Sequence, residues 1–234
     1  MKPSSSLSLS APIAAVADGE SLPSSWPHLL ASSVRAAVVV MTLTGIAYPL
    51  ITTGIAQAIF PHTANGSLVE RNGRIVGSQL IGQQFEGMAY FHGRPSATVG
   101  PAPDKSGTSI ALPYNAGASG ASNQGATHKG LADTAAQRVT QYRTTNGLQE
   151  HVRVPVDAVT ASASGLDPHI SVANAALQLP RVSIQRKLPP EKVQALVDQA
   201  TEQRTMFLLG EPRVNVLQLN MALDAISASA SAKE

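Results

Sequence analysis

The chain has 234 residues, room for one globular domain and an anchor but not for a multidomain transporter. Hydrophobic residues make up 43% and charged residues only 14%, so part of the chain is less soluble than an ordinary domain, in which roughly a quarter of residues are charged. A net charge of +2 excludes the dense basic stripe of a nucleic-acid binder, and the absence of cysteine excludes thiolate metal sites, disulfides and cysteine nucleophiles.

Residues 1–33, rich in Ser, Ala and Pro and without sustained apolar periodicity, are expected to form a flexible tail. A transmembrane helix is expected over 34–61. No Asp, Glu, Lys or Arg falls between Arg35 and Glu70, and Ala36 to Phe60 is mostly apolar. As a helix, about 25 residues rising about 1.5 Å each span about 37 Å, enough for a hydrocarbon core of about 30 Å. A buried core helix would be shorter and more interrupted, and a cleaved signal peptide would carry a shorter apolar run closer to the start. Pro49, Gly45 and Gly54, with Thr42, Thr44, Thr52, Thr53 and Gln57, give the span a small, polar side. Such a side suits packing against a partner's membrane helices, although isolated Thr and Gly are also ordinary in membrane helices. Arg35 flanks the amino end closely while Arg71 and Arg74 lie far beyond the other, which leans toward an inside amino terminus and an outside domain.

Residues 62–226 read as one soluble domain of mixed α and β elements, an α+β class, followed by a flexible tail over 227–234. Asn72-Gly73 between Leu68-Val69 and Ile75-Val76 predicts a two-residue hairpin. Arg94 to about Gln124, full of Gly, Pro, Ser and Asn, predicts loop. A first amphipathic helix carries Leu131, Ala135, Val139 and Tyr142 up to Asn146-Gly147. HVRVPVDAVTASA alternates like a short strand. A second helix is capped by Ser171, places Val172, Ala175, Ala176 and Leu179 on one face, and has Pro180 near its end; a third starts near Pro189-Pro190 with Val193, Leu196, Val197 and Ala200. Asn215 suits the cap of a final helix bearing Val216, Leu219, Leu223 and Ile226, with a strand start at Val214 left open.

Local chemistry is sparse. No GxxxxGK[ST] or GxGxxG pattern occurs, so no cofactor is bound by a recognisable motif; Ser119, Gly120, Ser122 and Asn123 form a small-residue loop that fits either weak phosphate contacts or plain flexibility. The six histidines are too scattered to place two metal ligands on one helical face. In TASASGLDPH, Ser162, Ser164, Asp167 and His169 tempt a hydrolase reading with His92 or His169 as base, but the elbow lacks Gly two residues before the Ser, and a Ser- and Gly-rich turn explains the string as well. YFHGRPSAT fits two roles: an interface in which Phe91 fills a pocket and Arg94 holds a carboxylate, or a structural corner turned at Gly93 and stiffened by Pro95.

The ordered series YPLITT, ANGSLV, GSQLIGQQF, YFHGRPSAT, YNAGASGASN, VPVDAVTASASGLDPHIS, LPRV and VNVLQLNMALD resembles the C subunit of Kdp-type potassium-transporting P-type ATPases from about Arg35 to Asp224. The chain departs from that pattern in its long amino tail, in an insertion-like stretch near Val99 to Leu112 and in Ala121. The resemblance implies a non-catalytic accessory subunit in the bacterial inner membrane, where the flanking charge would put the amino end in the cytoplasm and the domain outside it, in the periplasm. Its implied partners are a channel-like potassium-binding subunit, the P-type ATPase subunit and a small single-helix subunit. The implied role is a catalytic chaperone that raises the ATP affinity of the pump subunit, with ATP used by the complex; the domain is further expected to dock beside the channel-like subunit's outer mouth, stabilising assembly and influencing ion entry. Tyr48, Pro49, Thr53, Gln57, Phe91, His92, Gly93, Arg94, Pro95, Ser162, Ser164, Gly165, Asp167 and Asn215 are the family-signature or interface candidates. A membrane-tethered periplasmic hydrolase is the alternative.

Overall fold

The computed structural model describes residues 25–104 and 107–231, with side chains as far as residue 227. The chain divides into two compact units, one ending at Phe60 and one starting at Pro61.

Among its described residues the first unit is a single continuous helix, Trp26–Ile59, long and apolar enough to cross a membrane and with no residue buried within the chain. It is built from α1 (Trp26–Thr42), a π-helical turn (Leu43–Ala47) and α2 (Tyr48–Ile59). Helix thus begins at Trp26, inside the segment expected to be tail, with Pro27 in the first turn where its missing N–H costs nothing; residues 1–24 lie outside the described residues. The wide turn ends at Ala47, two residues before Pro49, and the Tyr48 N–H reaches back five residues to the Leu43 carbonyl. In a regular helix the Pro49 ring would crowd the Gly45 carbonyl and leave it without a donor, and the π turn absorbs that conflict. The Thr44 hydroxyl donates to the Val40 carbonyl at 2.7 Å and the Thr52 hydroxyl to the Tyr48 carbonyl at 2.8 Å, so these hydroxyls are satisfied without a partner helix.

The second unit opens with one turn of helix, α3 (Pro61–Ala64), then the hairpin β1 (Leu68–Arg71) and β2 (Arg74–Ser78). Asn72 and Gly73 both take positive φ, 52° and 72°, as the two-residue turn requires. The stretch read as loop contains a second hairpin, β3 (Val99–Pro101) and β4 (Ser109–Ala111). Its strands lack alternation. The pairing is extended by Thr98, whose carbonyl accepts from the Leu112 N–H and whose hydroxyl donates to the Leu112 carbonyl.

The rest is α4 (Lys129–Asn146), the turn α5 (Val156–Val159), β5 (His169–Ser171), α6 (Val172–Arg186), α7 (Pro190–Gln199), β6 (Thr201–Glu202), β7 (Arg213–Asn215) and α8 (Val216–Ser231). The strands form one antiparallel sheet in the order β5-β7-β6. The core lies between this sheet and α6, α7 and α8, with Ile170, Val182, Val193, Val197, Val214, Leu219 and Leu223 buried around Phe91. Gly147 ends α4 in the left-handed region, and the Ser171 hydroxyl caps α6 by accepting the Asn174 N–H at 3.1 Å.

Both readings of Asn215 hold. It closes β7, and its Oδ1 accepts the Gln218 N–H to start α8. Four expectations need correction. The strand read in HVRVPVDAVTASA is a helical turn, because Pro155 removes a ladder donor and presets the turn's start. Pro180 sits inside α6 rather than at its end, since the helix continues to bury Val182 and Ser183. The buried face of α6 is Ala175, Leu179 and Val182, while Val172 and Ala176 are exposed. The tail expected from residue 227 is helical to Ser231.

Candidate functional site

In the segment Tyr90 to Thr98, Phe91 and His92 are held by side-chain amides rather than by a strand partner. Asn220 on α8 accepts the Phe91 N–H and donates to the Phe91 carbonyl, both at 2.9 Å. Gln178 on α6 treats His92 the same way, accepting its N–H at 2.7 Å and donating to its carbonyl at 3.0 Å. Two buried amides, Asn220 and Gln178, therefore form a clasp that supplies what a sheet ladder would, and the Phe91 ring is fixed in the core.

Gln178 belongs to a buried polar stripe on α6, Asn174, Gln178 and Arg181, at i, i+4 and i+7. Asn174 donates to Asp157 at 2.9 Å and accepts from the Tyr142 hydroxyl at 2.8 Å. Arg181 donates to Asn146 Oδ1 and Gln178 Oε1, each at 2.9 Å, and to the Met88 carbonyl. Burial lowers the Arg181 pKa from its ordinary value. Beside the stripe, the Arg186 guanidinium covers the Tyr90 ring and pairs with Asp224 at 2.8 Å, and Asp224 also meets Arg71 at 3.2 Å.

The second half of the segment forms a knot with two other signature strings. Arg94 pairs with Asp167 at 3.0 Å, and Asp167 Oδ1 accepts the His169 N–H at 3.0 Å. Burial on its own would raise the Asp167 pKa, but the hydrogen bonds from His169 and Arg94 outweigh it and hold the carboxyl below its usual range. The Tyr114 hydroxyl donates to the Arg94 carbonyl at 2.7 Å, and burial, then the nearby Asp167 charge, push its pKa up to about 12. Ser96 donates to the Gly165 carbonyl at 2.7 Å. Gly93 leaves room for Tyr114, whose hydroxyl would lie 2.4 Å from a Cβ there. Gly165, at φ +69°, would set a Cβ 2.8 Å from the Gly120 carbonyl.

Gly120 N–H and the Ser119 hydroxyl both donate to the Ser164 carbonyl, at 2.9 and 3.0 Å, so two of the loop's donors turn inward, while Ser122 and Asn123 are exposed. Ser162 is buried. The Ser164 hydroxyl accepts the Leu166 N–H at 3.1 Å. The two nitrogens of His169 face carboxylates, Asp167 at 3.3 Å and Glu202 at 3.4 Å, and the His92 ring meets the Gly87 carbonyl at 3.1 Å. Among the described residues Ser162 and Ser164 make no hydrogen bond to His92 or His169, so the geometry adds nothing to the hydrolase alternative.

Between the clasp and the knot lies an open cleft of about 560 Å³ lined by His92, Gly93, Arg94, Pro95, Tyr114, Arg138, Tyr142 and Gln178 among others. Burial first, then the Arg181 charge, lowers the His92 pKa, so the ring favours its neutral form. Sequence reasoning found Phe91, His92 and Arg94 but missed Asn174, Gln178, Arg181 and Asn220. The available signal was polar residues standing at core positions of an apolar helical period, as Asn220 does between Val216 and Leu223.

Residues 30–225 match the family described as K+-transporting ATPase, c chain. The chain belongs to that family. A potassium-transporting ATPase KdpC subunit from Rhodopseudomonas palustris is 52% identical over 196 residues, covering 82% of this chain and 96% of the relative. One from Bradyrhizobium diazoefficiens is 50% identical over 199 residues, covering 83% and 98%. One from Gemmatimonas aurantiaca is 50% identical over 202 residues, covering 86% and 94%. The family match takes in most of the apolar helix and every residue of the clasp and the knot.

Proposed function

We propose that this chain is a non-catalytic accessory subunit of a potassium-transporting P-type ATPase complex, anchored in the bacterial inner membrane by Trp26–Ile59. The observation that carries the reading is the family match over residues 30–225, together with an apolar helix of spanning length inside it. The geometry supports an accessory role, because the conspicuous Ser, His, Asp and Arg side chains bond to one another and to backbone instead of converging on a reacting atom.

A helix of 34 residues is about 51 Å long at about 1.5 Å per residue, well beyond a core of about 30 Å. The surplus lets Trp26, His28 and Arg35 lie toward the cytoplasmic interface while Val38 to Phe60 crosses. The domain then stands in the periplasm, apart from cytoplasmic ATP, and any gain in the pump subunit's ATP affinity travels through membrane helices. Such coupling is typically about 1–3 kcal/mol, or roughly 5- to 150-fold. The channel-like and small single-helix subunits meet the polar side of the span at Thr53 and Gln57.

A tagged chain purified from detergent-solubilised membranes is expected to bring the pump subunits with it, and the complex lacking this chain is expected to need at least several-fold more ATP for half-maximal turnover. Equal ATP dependence with and without the chain would refute the chaperone role. Thr53→Leu with Gln57→Leu is expected to lower complex recovery. Because the chain has no cysteine, Glu150→Cys reports sidedness cleanly; protection from an impermeant maleimide in intact spheroplasts would refute the periplasmic placement.

A further inference from the structure

The turn between β6 and β7 displays Met206, Phe207, Leu208 and Leu209 with exposures of 82%, 93%, 78% and 60%. Backbone hydrogen bonds close the display. Thr205 and Leu209 exchange both backbone hydrogen bonds at 2.9 Å, and the Phe207 N–H donates to the Arg204 carbonyl at 3.1 Å. Met206 and Phe207 stand in the left-handed region, at φ 54° and 63°. Asn and Gly adopt that region readily and bulky side chains do not, so the turn gives up local stability to hold two large apolar groups in solvent. Strain of this kind at an exposed apolar tip marks a contact surface.

The rim tells what the tip contacts. Arg204 pairs with Glu211 at 2.6 Å and Arg213 with Glu202 at 2.8 Å, so both cations flanking the tip are neutralised by their own neighbours. An anionic bilayer surface selects unpaired Lys and Arg beside an apolar insertion. A protein socket selects apolar anchors ringed by balanced polar groups. We propose that Met206–Leu209 is a plug that seats in an uncharged apolar socket on another subunit of the pump complex. The proposal rests on the accessory-subunit reading and adds the contact through which the domain is held.

The test places p-benzoylphenylalanine at position 207 of the full chain, within the complex in native membranes. Irradiation is expected to join this chain to a different pump subunit, identified by its peptides. A cross-linked pair of this chain, a lipid adduct alone, or no adduct would overturn the plug. Failure of the unlabelled wild-type chain to copurify with any pump subunit would overturn the accessory-subunit reading and the plug with it, whereas copurification without the cross-link overturns only the plug. A second variant separates docking from folding. Phe207→Asn puts a residue suited to positive φ into the turn, so its melting temperature is expected to match or exceed that of the wild type while retention of the pump subunits in detergent falls at least tenfold. Undiminished retention would overturn the proposal.

Discussion

Replacing Asn220 with leucine tests the amide clasp at its deepest point. The substitution keeps the branched outline of Asn with bulkier methyl tips but leaves both backbone groups of Phe91, now paired at 2.9 Å, without partners in the core. Each orphaned group costs about 1–3 kcal/mol, so the gross loss is about 2–6 kcal/mol, and the extra apolar surface of leucine offsets about 1–2 of it. The net of about 1–4 kcal/mol corresponds to a fall of about 2–16 °C in a domain of this size. Intrinsic fluorescence is a poor probe, since the single tryptophan, Trp26, lies in the apolar helix. A Val182→Cys background serves instead, because Val182 is fully buried and the chain has no other thiol, so labelling during a thermal ramp reports opening of the core. Asn220→Asp supplies a signature that simple overpacking lacks. Its ionised carboxylate can accept from the Phe91 N–H but opposes the Phe91 carbonyl, and protonation restores the donor. Its folded pKa is therefore raised, and its deficit should shrink as pH falls from 7 toward 4. A leucine variant within about 0.5 kcal/mol of wild type, or an aspartate variant whose deficit grows on acidification, would refute the clasp.

Gly165→Ala combines a left-handed φ with a close approach to the Gly120 carbonyl and is expected to cost about 2–4 kcal/mol by the same labelling ramp. The lowered pKa of His92 means the unfolded chain takes up a proton more readily than the folded one, so this group's contribution is full above its ordinary pKa of about 6.5 and is lost as pH falls through the lower folded value; His92→Gln should flatten that part of the stability profile. Asp167, held below its usual pKa, contributes above about pH 4 and loses that contribution as pH falls further, so Asp167→Asn should remove acid sensitivity in that range while costing about 1–2 kcal/mol at pH 7, a modest figure because the pair with Arg94 is partly exposed.

The parts of the fold that could be read in the sequence are those fixed within one turn of chain. Asn72-Gly73 demands its hairpin, Ser171 caps α6 through a contact three residues away, and Val193, Leu196, Val197 and Ala200 all bury as their spacing implies. The misreadings came where distant packing overruled local preference. Pro180 would end a helix in isolation, yet the core takes hold of Leu179 on one side and Val182 on the other. The π turn before Pro49 answers a conflict visible only once the helix is continuous on both sides. In the site, the oddness of YFHGRPSAT was plain, but its partners sit far along the chain: Asn220 lies 129 residues from Phe91 and Gln178 lies 86 from His92. No local pattern announces such pairs.

That long reach bears on how variants of this subunit should be sorted. The residues that look most like chemistry are engaged in holding loops to helices, so damage there should act through folding, and loss of complex should follow loss of domain stability in proportion. Met206 to Leu209 make no comparable core contact and sit in a turn that other residues would stabilise. Damage at that tip should remove complex without lowering stability, and relieving its strain should separate the two quantities in opposite directions. Retention plotted against melting temperature across both sets of variants therefore distinguishes a shape-keeping residue from a docking one. A single common line through clasp and tip variants would mean that the domain acts only as a folded bulk, with no privileged point of contact.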